Sequence, residues 1–384
     1  MQRLPQPSSL DPRLTSVVVI GFCAFLNLYA PQSLLPTLAQ AFHVSKALAS
    51  LTVSASTLAI ALFSPICGRL VGRFSRHRLL RPALVLLSVS ALSCGLSPTL
   101  TDLMAWRFVE GLALPILLAV AMAFVGQEFS GQGLGRAMAW YVAANVFGGF
   151  CGRFFCGVLG EALGWRTAFL AVGCLNLAGA WAVLRYMPDG EPTRTSSGGF
   201  LELSRQPAMR AAWFIGFNVL FALVGIFTWV TYHLADAPFS LGPAALGSIF
   251  FVYVIGGAIT PMAGHWLDRV GFRPGLAAAA ATVMVGAALT LLPSLGAVMV
   301  GLALVCSGAF VSQSATTSFV TQAAGPLRGT AIGVYLGCYY LGGTAGAAVP
   351  GLLWAVGGWP ACVLCVLAIE AVVLVSSRSL RLAV

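Results

Sequence analysis

The sequence predicts an all-α membrane protein of twelve transmembrane helices in two pseudo-symmetric six-helix bundles. Three observations carry that prediction. First, the composition is 59% hydrophobic and 8% charged, against about 25% charged residues in soluble domains, so lipid must solvate much of the surface. Second, apolar runs of the ~20 residues that a bilayer core demands recur along the chain. Third, glycine and aromatic positions in the first half recur in the second at a nearly constant offset.

The apolar runs place six spans at 15–35, 47–68, 81–97, 102–125, 136–160 and 166–187. Six more fall at 208–234, 244–264, 275–292, 297–324, 330–354 and 360–376. The first run is too long for the apolar core of a signal peptide and reads as the first membrane helix. Between the two sets lies PDGEPTRTSSGGFLELSRQP, rich in Pro, Gly and Ser, as in a flexible connection. The expected domains are therefore an N-terminal bundle at 1–187, a linker at 188–207 and a C-terminal bundle at 208–384.

Charge placement sets the orientation. Of the 21 Lys and Arg residues, 17 fall in segments on one side, from Arg13 and the cluster Arg69–Arg81 to Arg273 and Arg328. Lys46 and Arg166 fall on the other side, and Arg107 and Arg153 inside spans. Basic residues stay on the cytoplasmic side, so both termini and the linker are expected there. This asymmetry excludes nucleic-acid binding despite the net charge of +10, because the arginines flank helices and form no continuous groove. The ten cysteines lie mostly in apolar runs, and the Cys362-x-x-Cys365 pair lacks a second ligand pair. They read as small buried residues without disulfides. The four histidines lack metal spacing. No metal and no cofactor are expected.

The repeat is clearest near the fifth and eleventh spans. At an offset of 194, Gly135, Ala137, Tyr141, Gly148, Gly149, Gly152, Gly157 and Gly164-Trp165 match Gly329, Ala331, Tyr335, Gly342, Gly343, Gly346, Gly351 and Gly358-Trp359. Pro65-x-x-Gly68 matches Pro261-x-x-Gly264. Six spans separate the copies, so the halves are parallel repeats, an arrangement that places a binding site between them near the midplane.

With these residues the chain resembles the major facilitator superfamily over essentially its full length. The family's loop signature after the second helix, G-x-x-x-D-R-x-G-R-[RK], stands in the second half as Gly264, Asp268, Arg269, Gly271 and Arg273. In the first half it is degraded: Gly68 and Arg73 remain, but Gly72 replaces the acid and Ser75 the second glycine. Arg107-Phe-Val-Glu110-Gly111 resembles the R-x-x-Q-G of the fourth helix, with Glu for Gln. Gly148, Gly149, Gly152 and Gly157 resemble the glycine motif of drug/proton antiporters, with Arg153 in place of its proline. The closing Gly164-Trp165-Arg166 is similar to the same branch, near the sugar-efflux permeases.

Charges inside spans are costly at the bilayer centre, about 2.5–3.5 kcal/mol on insertion scales. Arg107, Glu110 and Arg153 are therefore expected to face the bundle interior at similar depth, as a structural ion pair or as a coupling site. Glu370 is the other intramembrane acid. Asn27, Tyr29, Gln32, Asn145, Asn218, Trp229, Gln313, Tyr335 and Tyr339 are candidates for a substrate cavity or for helix packing. Gly148, Gly149, Gly152 and Gly157 read as a helix-packing stripe. The resemblance further implies a conformational latch, with Asp268 meeting the start of the fifth span near Gly133–Arg136, where a helix N-terminus and Arg136 supply positive charge.

What the resemblance implies is a secondary transporter in a bacterial inner membrane, exporting a small organic molecule against protons by alternating access, as a monomer. Uptake by proton symport is the alternative. ATP hydrolysis is excluded, since nothing matches G-x-x-x-x-G-K-[ST]. An intramembrane enzyme would need a cluster such as H-E-x-x-H, which is absent, and a receptor would need an output domain. The residues do not name the substrate.

Overall fold

The computed structural model describes residues 11–129, 132–190 and 199–376, and the regular elements among them are helices. In the first half these are α1 (Pro12–Leu28), α2 (Leu35–Ala41), α3 (Lys46–Val71), α4 (Arg76–Leu96), α5 (Leu100–Glu128), α6 (Gln132–Leu163) and α7 (Trp165–Tyr186). A short α8 (Phe200–Arg205) leads into α9 (Pro207–Ala235), α10 (Pro243–Ser248), α11 (Val252–Val270), α12 (Phe272–Leu289), α13 (Leu295–Ala323) and α14 (Arg328–Ser376). Residues 191–198 of the linker and the terminal arginines Arg3, Arg378 and Arg381 lie outside the described residues.

Among the described residues ten helical segments, one of them α1 and α2 taken together (Pro12–Ala41), are long and apolar enough to cross a membrane. One of them, α14, makes two crossings. Gly358 leaves helical geometry at φ 59°, ψ −145°, and Cys362 Sγ lies 3.2 Å from the carbonyl oxygen of Pro350. Those residues would be ~18 Å apart along a straight helix, so the chain doubles back. Adding the crossing made by α10 and α11 gives the twelve expected.

Two expected spans are broken. The first was expected as one helix over 15–35. Instead α1 stops at Leu28, a 3-10 turn covers Ala30–Leu34, and α2 carries on to Ala41. Pro31 and Pro36 cause this, since each lacks an N–H and crowds the preceding turn. The eighth span, expected over 244–264, is split by a 3-10 turn at Ile249–Phe251. The third span also begins earlier than 81: the basic segment from Arg76 is the first turn of α4.

The pseudo-symmetry is visible in atomic contacts. A Cβ on Gly148 or Gly152 would collide with the carbonyl oxygen of Phe22 or Leu26 on α1. One on Gly342 or Gly346 would collide with that of Phe217 or Phe221 on α9. Both halves thus seat a glycine face of one helix on the backbone of another. Gly164 and Gly358 both take positive φ, 86° and 59°, a region that L side chains avoid, and each introduces a tryptophan that starts the next helix.

The halves meet along α3 with α14 and along α6 with α10 and α11. The hydrogen bonds that join them gather toward one end. Lys46 pairs with Asp236 at 2.5 Å, Tyr232 donates to Lys46 O at 2.9 Å, and Glu161 accepts from Ala244 N at 2.9 Å. Toward the middle, Ser54 donates to Thr344 O and Thr57 meets the Thr344 hydroxyl. At the opposite end Arg136 is exposed, and no described atom lies within 4 Å of a Cβ placed on Gly135.

Candidate functional site

Arg107 and Glu110 are spaced i, i+3 on α5, which puts their side chains on one face. Both are buried, at 0% and 1% exposure. Arg107 Nη1 lies 2.7 Å from each Glu110 carboxylate oxygen. The other N–H groups reach backbone: Nη1 to Asn27 O at 2.9 Å, Nη2 to Leu28 O at 2.5 Å and Nε to Thr52 O at 3.4 Å. Asn27 and Leu28 are the last residues of α1, so Arg107 caps the carbonyls freed by the break, where the helix dipole is negative. The pair is closed within the first half.

Arg153 is built differently. It is 1% exposed. Its Nε donates to Gln32 Oε1 at 2.6 Å and its Nη1 to Gly149 O at 2.7 Å, whereas Nη2 has no hydrogen-bond partner. Three rings enclose the guanidinium: Tyr29 at 4.3 Å, Tyr253 at 4.4 Å and Phe250 at 4.6 Å. Tyr29 and Gln32 come from the break in the first span, and Phe250 from the break in the eighth. The two irregular segments thus close on one cation where the halves meet. None of the ion pairs among the described residues involves Arg153. The three charges expected to act together are therefore a closed pair and a separate cation, linked only through the residues that follow α1.

The remaining cavity candidates divide. Gln32 also donates to Thr228 Oγ1 of α9 at 3.1 Å, across the halves. Asn27 exchanges two hydrogen bonds with Asn176 of α7, at 2.9 and 3.0 Å, inside the first half. Asn218 turns back to Phe214 O of its own helix. Trp229 donates to Ala347 O and packs on Tyr232 and Trp354, joining α9 to α14. Tyr335 and Tyr339 stack at 5.9 Å, and Tyr339 lies against Tyr340. Asn145 and Gln313 are half-buried. Glu370 is 4% exposed and has no hydrogen bond or ion pair with any described residue. Of the glycine stripe, Gly148 and Gly152 seat α6 on α1. Gly157 faces Pro243 O of α10, and Gly149 faces Arg153.

Of the latch residues, Gly264 and Asp268 lie in a stretch of α11 whose side chains are outside the described residues. Arg73, Arg269 and Arg136 are exposed, Arg273 is half-buried, and Gly271 turns into α12 at φ 83°. The first-half copy holds a cluster that sequence reasoning missed. Arg76 donates to Pro188 O at 2.5 Å, lies 3.8 Å from Glu128 and covers the Phe124 ring at 4.4 Å. Arg13 pairs with the same Glu128 at 3.1 Å. The Asp189 carboxyl is held below the usual carboxylate range, chiefly by the His77 N–H that caps it at 3.0 Å. Glu128, at the end of α5, is the acid that both arginines share; its lone position in the sequence offered no signal. Phe250, Tyr253 and Thr228 were likewise missed. Their only signal was aromatic or hydroxyl character inside apolar runs.

The family model of the Major Facilitator Superfamily matches residues 17–347. The chain belongs to that superfamily. It is 30% identical over 346 residues to an uncharacterized MFS-type transporter, YybF, of Bacillus subtilis (strain 168), covering 88% of this chain and 86% of the relative. It is 27% identical over 346 residues to the inner membrane transport protein YnfM of Escherichia coli (strain K12), covering 88% and 83%. Its fold is similar to a bacterial homologue of the human lysosomal transporter Spinster, with TM-score 0.81 and 17% identity, covering 97% of this chain and 98% of that one. The protein is thus a multi-pass membrane transporter of the secondary type, not an enzyme, with a small-molecule substrate.

Proposed function

We propose that the protein exports a small organic molecule in exchange for protons, by alternating access between bundles 1–187 and 208–384. The linker 188–207 and both termini face the cytoplasm of a bacterial inner membrane, and the protein works as a monomer. The Arg distribution supports the orientation. A Cys at Ser197, on a background without native cysteines, should resist an impermeant thiol reagent in intact cells and react in everted vesicles. Strong labelling in intact cells reverses the orientation.

The observation that carries the coupling is the grip of the Arg107–Glu110 pair on the break in the first span. A proton on Glu110 removes the charge that Arg107 faces and leaves the Asn27 and Leu28 carbonyls to carry more of the hold on its guanidinium, which changes the balance at the break. Tyr29 and Gln32 follow directly in the chain and hold Arg153. In this reading the three charges act in series through residues 27–32. Everted vesicles with an imposed pH gradient, followed with a pH-sensitive dye, report substrates as compounds that dissipate the gradient. Glu110→Gln should keep gradient-independent exchange of such a compound and lose the dissipation. Dissipation equal to wild type removes Glu110 from the coupling, leaving Glu370. That carboxyl has no ion pair with any described residue to break when it gains or loses a proton.

A further inference from the structure

We infer that the transported molecule is a small organic anion, and that its acidic group binds Arg153 by displacing the Gln32 side chain. The inference rests on the transporter reading alone and not on proton coupling or direction. Arg153 is a buried cation with no carboxylate beside it among the described residues. Removing a charge from water is expensive unless an opposite charge joins it, and here the protein supplies only neutral acceptors, Gln32 Oε1 and Gly149 O. The rings of Tyr29, Phe250 and Tyr253 cover the guanidinium at 4.3–4.6 Å, favourable for a cation but without negative charge to neutralise it.

The free donors decide the ligand class. A guanidinium presents Nε and Nη2 along one edge, and a carboxylate engages such an edge with two parallel hydrogen bonds. In Arg153 the Nη2 half of that edge has no hydrogen-bond partner, and the Nε half is taken by an amide oxygen at 2.6 Å. A carboxylate fills both positions and brings the missing charge. A neutral group leaves the charge uncompensated, and a cation is repelled. The exchange also has a mechanical result. Gln32 bridges to Thr228 Oγ1 in the opposite half at 3.1 Å, so an anion that takes its place on Arg153 releases that link. Binding and separation of the halves at this level are then coupled through one side chain.

Three chains, wild type, Gln32→Glu and Gln32→Ala, are purified full-length. Their thermal unfolding is followed with benzoate, hexanoate and cyclohexanecarboxylate, each beside its neutral amide and its amine analogue. Carboxylates should raise the wild-type midpoint, and the amides and amines should not. Gln32→Glu places a tethered carboxylate on Arg153. It should unfold at a higher temperature than wild type and lose the carboxylate response. Gln32→Ala removes the internal competitor and should respond at concentrations about 10-fold lower, the lower end of what a hydrogen bond to a charged group contributes. The inference is overturned if no carboxylate stabilises the wild type, if amides or amines stabilise it equally, or if Gln32→Glu responds as wild type does. A carboxylate response without proton exchange keeps this inference and removes the coupling; proton exchange of neutral or cationic compounds does the reverse.

Discussion

Arg107 and Arg153 are both fully buried arginines within spans, on helices adjacent in the chain, and their surroundings are opposite. Arg107 has a carboxylate at 2.7 Å and three backbone carbonyls. Arg153 has two neutral acceptors, three aromatic rings and an idle nitrogen. A buried charge that is neutralised within its own bundle holds a fold together. One that is not neutralised, at the line where two bundles meet, contributes no such ion pair among the described residues, and its charge is the one proposed to receive the anion. The difference follows from position: Arg107 answers a helix end in its own half, whereas Arg153 faces groups drawn from both halves.

The comparison is broken most directly by removing each charge in turn. Arg107→Met leaves Glu110 buried without its partner and uncaps α1, a loss of about 3–5 kcal/mol for one member of a buried pair. Arg153→Met removes a charge that has no counter-charge, so its stability should equal or exceed that of the wild type. Thermal unfolding of the two purified variants in detergent measures this. Equal losses would mean that Arg153 is as structural as Arg107.

How much of this was legible in the sequence depends on whether a residue's role is local. The twelve crossings were legible because apolar length is a property of each segment. The repeat was legible because a glycine pressed on a backbone, such as Gly152 on Leu26 or Gly346 on Phe221, admits no other side chain. Arg107 with Glu110 was legible because i, i+3 spacing alone brings them together. The Arg153 cage was not. Helices apolar on every side carry no stripe that tells which face crosses to the other half, so Phe250 and Tyr253 looked like any lipid-facing aromatic. The expectation that Arg153 joins Glu110 used depth alone, and depth does not fix the direction around a helix axis. The break at Tyr29 was hidden because Pro31 and Pro36 sit inside an apolar run.

A smaller effect sharpens the comparison through the backbone that places Arg153. Gly152→Ala drives a methyl into Leu26 O. Overpacking of this kind costs about 1–3 kcal/mol, and it moves α6 off α1 just where Gln32 reaches Arg153. The carboxylate-induced rise in unfolding temperature should fall, while Gly346→Ala, the equivalent in the second half, should destabilise as much and leave that rise in place. Loss of the response in both would show that it reports bundle packing and not the Arg153 site.

Weaker still is the ion pair that closes the far end. Lys46 and Asp236 are partly exposed, where such pairs contribute about 0–1 kcal/mol, although Lys46 also lies over Trp354 at 4.9 Å. Lys46→Met should therefore raise labelling of cysteines placed at that end by no more than about 5-fold. A larger rise would make the Lys46–Asp236 pair, and not the inner bonds such as Gln32–Thr228, the main closure of this end.

The smallest effect is expected where the first-half loop signature is degraded. If Gly72 were a lost acid, Arg76 would be short of a carboxylate, yet Glu128 stands 3.8 Å away and also receives Arg13. The Arg-rich ends of α1, α4 and α5 are thus tied without residue 72, and Gly72→Ala should change labelling at that end within error. Glu128→Gln leaves Arg13 and Arg76 without that acid and should loosen these ends by up to about 1 kcal/mol, since Glu128 is partly exposed. Asp268 is the intact acid of the second-half copy, and its expected target, Gly133–Arg136, offers a helix N-terminus and a full positive charge. Asp268→Asn should then favour opening on the cytoplasmic side about 5- to 30-fold, the effect of about 1–2 kcal/mol. Cysteine accessibility from the cytoplasmic side compares the three variants. Equal effects of Gly72→Ala and Asp268→Asn would mean that neither copy acts as a latch, and that the Glu128 cluster alone organises this end of the first half.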